Sequence, residues 1–316
     1  MIGPVLVTGA SGQVGTAVIR LLSAKLPTAS ILAPRRTEMD LADRESIRSH
    51  IRSSKPRWIV SCAAYTAVDA AETQQEAAFA ANATAPGILA EEAARAGAGL
   101  IHYSTDYVFD GSGDEPWLET DATGPLNVYG TSKLAGEQAI AAVASASPLA
   151  WVVLRTSWVY SGGGKNFART MLRLLSSRSE PLRIVADQHG APTSAADLAS
   201  AALRIMTSVE DQAGSEPLAN TMQTASGVYH CAGSGETTWA GFAEHIREYL
   251  QQEHDLRVPA IVPVASAEYP TPAARPLNSR LNCQKLVEAF GVHMPHWQAS
   301  LVVALRELAA TDLPAR

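Results

Sequence analysis

Short apolar runs alternate with longer segments of helical spacing through the first half of the chain. Val5–Thr8 is an unbroken apolar run that ends in glycines and predicts a strand. Val14–Leu26 follows with apolar residues every three or four positions, the spacing of an amphipathic helix. Ser30–Ala33 predicts a second short strand, Arg44–Arg52 a helix and Trp58–Ala64 a third strand. Gln75–Ala96 is alanine-rich and helical, and the strand Leu100–Ser104 follows it. Asn127–Ala146 is helical again, and Trp151–Arg155 predicts a further strand. Strands that alternate with helices form βαβ units and a parallel sheet. Parallel strands buried on both faces read as continuous apolar runs, as these do.

Beyond Arg155 the pattern loosens. Ser161-Gly162-Gly163-Gly164 reads as a turn, and helical spacing returns at Phe167–Leu175, Ala196–Met206, Trp239–Gln252 and Trp297–Leu308. Arg183–Val185 is expected to return as a strand of the main sheet. Asp211–Thr224 is polar and reads as a surface excursion, and the proline-rich stretch 259–276 as an ordered loop. The expected fold class is α/β, a Rossmann-type doubly wound parallel sheet with a smaller helix-rich domain. Residues 1–157 are expected to bind a dinucleotide and residues 158–316 mainly the substrate, with segments near 183–204 returning to the first domain.

Composition narrows the function. The 316 residues carry a formal net charge of -6 with no block of basic residues, which argues against nucleic acid and against a polybasic membrane anchor. No apolar run reaches the roughly 18–20 residues of a spanning helix. The apolar start Val5-Leu6-Val7 reads as a strand, not a leader. Cys62, Cys231 and Cys283 are odd in number and far apart, without disulfide or metal spacing. A reducing cytoplasm is the expected location.

Candidate chemistry begins at the first turn. Gly9, Gly12 and Gly15 form Gly-x-x-Gly-x-x-Gly between a strand and a helix, enclosing Gln13 and Val14. Absent side chains let backbone amides approach a pyrophosphate, and the helix N-terminus adds its positive dipole. Some twenty residues further, where a carboxylate would hold the ribose 2′-hydroxyl of NAD, stand Arg35 and Arg36. Guanidinium groups suit a 2′-phosphate, so NADPH is expected, with NADH possible and two solvated surface arginines as the bland reading. Asp40-Leu41 is a candidate adenine contact or a plain turn.

Tyr129 and Lys133 are four residues apart and share one helical face. A phenol beside a nicotinamide can protonate a carbonyl that receives hydride, and a neighbouring ammonium is expected to lower its pKa. Ligands of parallel α/β sheets bind beyond the carboxyl ends of the strands. Thr105, just after Leu100–Ser104, is therefore a candidate to bond the substrate oxygen, or simply closes its turn.

The strings Thr8–Gly15, Ser104-Thr105-Asp106 and Tyr129–Lys133 resemble the extended short-chain dehydrogenase/reductase superfamily. Longer strings are similar to its dTDP-4-dehydrorhamnose reductase family. They are His102–Gly111, Glu119–Asp121, Pro125–Gly130, Arg155–Tyr160, Asn166-Phe167, Asp187–Thr193 and Arg275–Leu281. The resemblance implies reduction of the C4 ketone of dTDP-4-dehydro-β-L-rhamnose, with Tyr129 as proton donor, Lys133 tuning it and holding the ribose, and Thr105 assisting. It also implies cofactor contacts at Gln13, Val14, Asp40, Leu41, Ala63, Ala64, Tyr65 and Thr66. Sugar-nucleotide contacts fall at Val68, Thr105, Asp106 and Trp158, with Arg275 at the diphosphate or in an internal salt bridge. For Trp158, a core tryptophan is the competing reading.

One departure stands out. Members of the family with a magnesium-bridged dimer use glutamates at positions that match Ala17 and Ala196 here, so no Mg²⁺ is expected at a dimer interface. A monomer, or a homodimer without a metal bridge, is expected. The alternatives are another nucleotide-sugar epimerase or dehydratase of this fold, or a non-catalytic NADP-binding regulatory subunit. A dehydratase should carry an acidic pair after the strand-end threonine, and Asp106 is followed by Tyr107.

Overall fold

The computed structural model describes residues 2–27 and 30–313. The first half runs β1 (Val5–Thr8), α1 (Gln13–Ser23), β2 (Ile31–Leu32), α2 (Arg44–Ser54), β3 (Trp58–Ser61), α3 (Val68–Ala71), α4 (Gln75–Phe79), α5 (Ala85–Ala96), β4 (Gly99–Thr105), α6 (Val128–Ala146) and β5 (Ala150–Thr156). Alternation along each strand deals its residues to the two faces of the sheet. Val5, Val7, Trp58, Val60, Ile101, Val152 and Leu154 enter one buried cluster. Leu6, Ile59, Leu100 and Val153 enter the other, with Ile47 and Ile51 of α2 and Leu89 of α5. Burying each such side chain contributes about 1.5–3 kcal/mol, so both faces must be covered.

The second half runs β6 (Val159–Tyr160), α7 (Phe167–Ser177), β7 (Leu182–Val185), β8 (His189–Gly190), β9 (Thr193–Ser194), α8 (Ala195–Ala213), α9 (Leu218–Thr221) and β10 (Gly227–His230). It ends with β11 (Thr237–Thr238), α10 (Trp239–His254), β12 (Ile261–Val264), β13 (Asn278–Ser279), α11 (Gln284–Phe290) and α12 (Trp297–Asp312). Helices α7, α10 and α12 enclose a separate core that includes Leu172, Phe242, Ile246, Leu301 and Leu305.

The main sheet has six strands in the order β10-β5-β4-β3-β1-β2, all parallel. The winding direction reverses between β1 and β3, and ligands of such sheets bind in the crevice beyond the strand ends at that point. Segments from the second half complete this layer. Leu198, Ala202 and Ile205 of α8 share a cluster with Val18 and Leu22 of α1. Glu210, near the end of α8, accepts from Trp58 Nε1 at 2.7 Å and from Arg57 Nε at 2.9 Å, tying α8 to the start of β3.

Two expectations are corrected. Arg183–Val185 does not join the main sheet; β7 pairs with β12 in a two-stranded sheet over the second core. Consequently the stretch 259–276 holds a strand as well as loop. The stretch 211–224 is mostly exposed, as expected, and is anchored by Ala213, Leu218 and Met222, which are buried beside β5. The following Gly227–His230 becomes the sixth strand, too short an apolar run to stand out in sequence. Finally, the helical run 75–96 is interrupted by a wider π turn at Ala80–Thr84, an irregularity that often marks functional sites. Among the described residues no helix is long and apolar enough to cross a membrane.

Candidate active site

At the switch point the backbone makes the first feature. Gly9 has φ +65°, and a Cβ there would sit 2.7 Å from the Ala63 backbone. A Cβ on Gly15 would meet the Gly9 carbonyl oxygen at 2.1 Å, so the turn closes only without side chains. Gly12 caps α1, and among the described residues no side chain accepts from the first amides of the helix, Gln13 and Val14 among them. These amides form an anion site with the helix dipole behind it. Gln13 Oε1 instead accepts from Ser161 Oγ at 2.8 Å and Asn166 Nδ2 at 3.0 Å, so the Gly162–Gly164 turn closes over α1.

The loop after β3 is held from both sides. Thr8 Oγ1 accepts from Ala63 N at 3.1 Å. Asn82, wholly buried in the π turn, accepts from Tyr65 N at 2.8 Å and donates to Tyr65 O at 3.0 Å. Ala63, Ala64, Tyr65 and Thr66 are thus fixed through their backbone, and the Tyr65 ring turns outward to Gln74. Asn82 also donates to Ser132 Oγ at 3.0 Å, coupling this loop to α6. Sequence reasoning missed Asn82; its one signal is a carboxamide inside an alanine-rich helix.

Arg35 and Arg36 lie on the surface after β2. Arg36, 82% exposed, meets Asp40 at 3.5 Å, a contact too long and too solvated to hold it. Asp40 also accepts from Ala42 N, as a turn residue does, and Leu41 packs on the adjoining core.

The third feature is α6. Its N-cap Asn127 accepts from Gly130 N at 2.8 Å, so Tyr129 lies in the first turn. The Thr105 hydroxyl faces the Tyr129 phenol, donates to Asp106 Oδ1 at 3.0 Å and accepts from Tyr107 N at 3.2 Å. Below them Glu137, one turn after Lys133, is buried against β4 and β5. It accepts from Ser104 Oγ at 2.5 Å, Arg155 Nε at 3.0 Å and Arg155 Nη2 at 2.7 Å.

The electrostatics differ from expectation. Burial pushes the Tyr129 phenol up to about 12, opposed by the neighbouring Thr105 hydroxyl and reinforced by the charge of Asp106. Lys133 does not lower it. Its Nζ turns toward β4, donating to the Tyr103 carbonyl at 2.5 Å and meeting His102 Nε2 at 3.1 Å. Burial draws the Lys133 ammonium down to about 8, against the attraction of Glu137. A phenol held this high keeps its proton at neutral pH.

Beside this cluster lies a cavity of about 870 Å³ between the two halves. Tyr107 lines it and meets the Tyr129 ring edge-on, centroids 5.7 Å apart. Asp69 and Arg275 also line it, paired at 2.9 Å, so the internal salt bridge exists. Arg275 Nη1 nevertheless remains buried without a partner among the described residues. Val68 opens α3 one residue before Asp69. Trp158 does not line the cavity: it stacks on Trp239, centroids 3.9 Å apart, and Trp239 supplies the apolar wall. Trp158 has φ +48°, a strained conformation for a bulky residue. Trp239 was visible in sequence only as a helix start. Ala17 of α1 is half-buried and Ala196 of α8 is exposed.

A doubly wound parallel sheet, a glycine turn and a Thr-Tyr-Lys cluster at the strand ends define a short-chain dehydrogenase/reductase of the extended type. A family model described as RmlD substrate binding domain matches residues 3–310. The chain belongs to that family. It is 46% identical over 294 residues to a dTDP-4-dehydrorhamnose reductase of Sinorhizobium fredii, covering 93% of this chain and 94% of that protein. The structure of a dTDP-4-dehydrorhamnose reductase from Clostridium acetobutylicum superposes with TM-score 0.83 at 32% identity, covering 96% of this chain and 99% of that one. One from Bacillus anthracis, in complex with NADP, superposes with TM-score 0.81 at 31% identity, covering 97% and 100%.

A pH prediction follows from Asp106. Burial lifts its carboxyl to about 6, although the hydroxyls of Ser279 and Thr105 favour the carboxylate. The folded state therefore binds the proton more tightly than the unfolded chain, and stability falls as pH rises from about 4 to 6. Asp106→Asn should stabilise the fold by about 2–3 kcal/mol at pH 7.5 and by little at pH 4. Urea midpoints at the two pH values test this; equal shifts at both would remove the buried charge as the cause.

Proposed function

We propose that this chain reduces the C4 ketone of dTDP-4-dehydro-β-L-rhamnose with NADPH, yielding dTDP-L-rhamnose. The observation that carries this reading is the meeting of Thr105 and Tyr129 at the end of β4, beside a cavity large enough for a sugar nucleotide. The named relatives, similar over nearly the whole chain, support the same substrate.

The residues fit a dinucleotide. The Gly9–Gly15 turn would collide with any side chain, and the first amides of α1 are uncapped. When bound, a reduced nicotinamide supplies hydride. The chain's own groups do the rest. Tyr129 carries the transferable proton at Oη and gives it to the C4 oxygen as charge develops there, and the single Thr105 hydroxyl hydrogen turns from Asp106 to the same oxygen. The Lys133 ammonium, held on β4 by the Tyr103 carbonyl and His102, keeps one N–H for the ribose. Arg275 Nη1, buried beside the cavity, suits a diphosphate oxygen, and Trp239, backed by Trp158, offers an apolar face. Asp106 and Val68 border the sugar, and Asp40-Leu41 and Ala63–Thr66 border the cofactor.

Tyr129→Phe should lower kcat by roughly 10²–10⁴-fold while NADPH and sugar-nucleotide binding stay near wild type. NADPH oxidation followed with and without the 4-keto sugar nucleotide measures this; turnover near wild type would make another group the acid. Neutralising Arg35 and Arg36 together should raise KM for NADPH about tenfold, the worth of one charge-assisted bond, and leave NADH little changed. An equal loss for both cofactors would mean that the arginines do not read the 2′-phosphate. We also infer a monomer or a dimer without a metal bridge, since methyl groups at Ala17 and Ala196 cannot bind Mg²⁺. Sedimentation should show the same mass with and without EDTA, and a dimer that dissociates on chelation would overturn this.

A further inference from the structure

Beneath Tyr129 runs a line of buried polar groups that hydride transfer does not itself require. His102, in the middle of β4, has no exposed surface. Its Nε2 lies 3.1 Å from Lys133 Nζ, and its Nδ1 lies 3.1 Å from Ser61 Oγ on β3. An ammonium has three N–H donors and no acceptor. The contact at Nε2 therefore requires a bare lone pair there, and the imidazole proton sits on Nδ1, donated to Ser61. Burial and the adjacent ammonium both hold the imidazole far below its ordinary pKa, so it stays neutral.

Lys133 thus has two acceptors on the β4 side, His102 Nε2 and the Tyr103 carbonyl. The other charges facing this spot are few. Glu137 lies one turn along α6, itself occupied by Arg155 of β5. Cys62, after β3, is kept a thiol by burial, and Asp106 stands beyond Thr105. A lysine stem has four flexible carbons, and a carbonyl alone does not define its position.

We propose that His102 is a positioning residue for the reduction: its Nε2 lone pair anchors the Lys133 ammonium beneath Tyr129, leaving the third N–H to face the ribose and the reacting end of the site. This rests on the reductase reading above. The ammonium, a donor only, selects the tautomer and Ser61 takes the Nδ1 proton, so Ser61, His102 and Lys133 act as one unit.

Two amide variants separate the acceptor from mere packing. The amide oxygen of H102Q reaches the place of Nε2 and can accept from Lys133. The amide of H102N ends near Nδ1, so it keeps the Ser61 bond and withdraws from Lys133. Both are polar and no larger than histidine, and circular dichroism melts report whether each folds. We expect H102N to lose roughly 10- to 100-fold in kcat, with KM for the sugar nucleotide little changed. Losing an acceptor disfavours the ammonium, so the alkaline limb of its kcat–pH profile should move down by about half a unit or more. H102Q should restore both the rate and the limb. Wild-type kcat and limb in folded H102N, or equal impairment in both variants, would overturn the proposal. Failure of the reductase reading would appear differently, as no ketone-dependent NADPH oxidation by the unmutated protein.

Discussion

A buried carboxylate under α6 decides where the chemistry sits. Glu137 takes hydrogen bonds from Ser104 of β4 and from two nitrogens of Arg155 of β5, and all three side chains are buried. Such a pair adds little to stability over an apolar one, but removing one partner strands a charge and costs about 3–5 kcal/mol. Its effect here is registry. Glu137 lies eight residues after Tyr129, so fixing it on the two strands fixes both rotation and height of the helix. Tyr129 then arrives at the end of β4, where Thr105 waits, and Lys133 arrives over His102 and Tyr103. A helix shifted by one residue would turn all of these away by about 100°.

Much of this was legible in the chain, and the reasons are local. β1, β3, β4 and β5 are buried on both faces, so their sequences carry a dense apolar signal, and the glycine spacing falls directly between a strand and a helix. The Tyr129/Lys133 spacing is a property of one helix and survives without knowledge of the fold. What remained hidden depends on distance. β10 is four residues long, and only the open edge of β5 makes Gly227–His230 a strand. Asn82 matters because Tyr65 and Ser132, seventeen and fifty positions away, meet it. The Lys133 side chain was expected to act on the phenol, yet its direction is set by acceptors in β4 that spacing along α6 does not reveal. Burial, too, is a sum over the whole fold, and it reversed the expected direction of the Tyr129 shift.

The aromatic wall shows the same division. Trp158 belongs to a recognisable string, but its conformation is governed by contacts made elsewhere. A Cβ on Gly190 would lie 2.7 Å from its ring, and Trp239 stacks on it from α10. The left-handed backbone at Trp158 is tolerated because these neighbours leave the indole one place to go. A residue marked by sequence thus packs behind one that was not, and only the second lines the cavity.

The late return of α8 and β10 to the first layer has a consequence for synthesis. As the chain leaves the ribosome, β5 is complete by residue 156, yet its partner strand ends only at His230. During that interval one edge of a parallel sheet offers unpaired amides and carbonyls, and the apolar flank of α1 waits for α8. Open edges of this kind are templates for wrong pairing. A nascent chain stalled between these points would expose both surfaces, which makes it a substrate for chaperones at a stage when its nucleotide turn is already built.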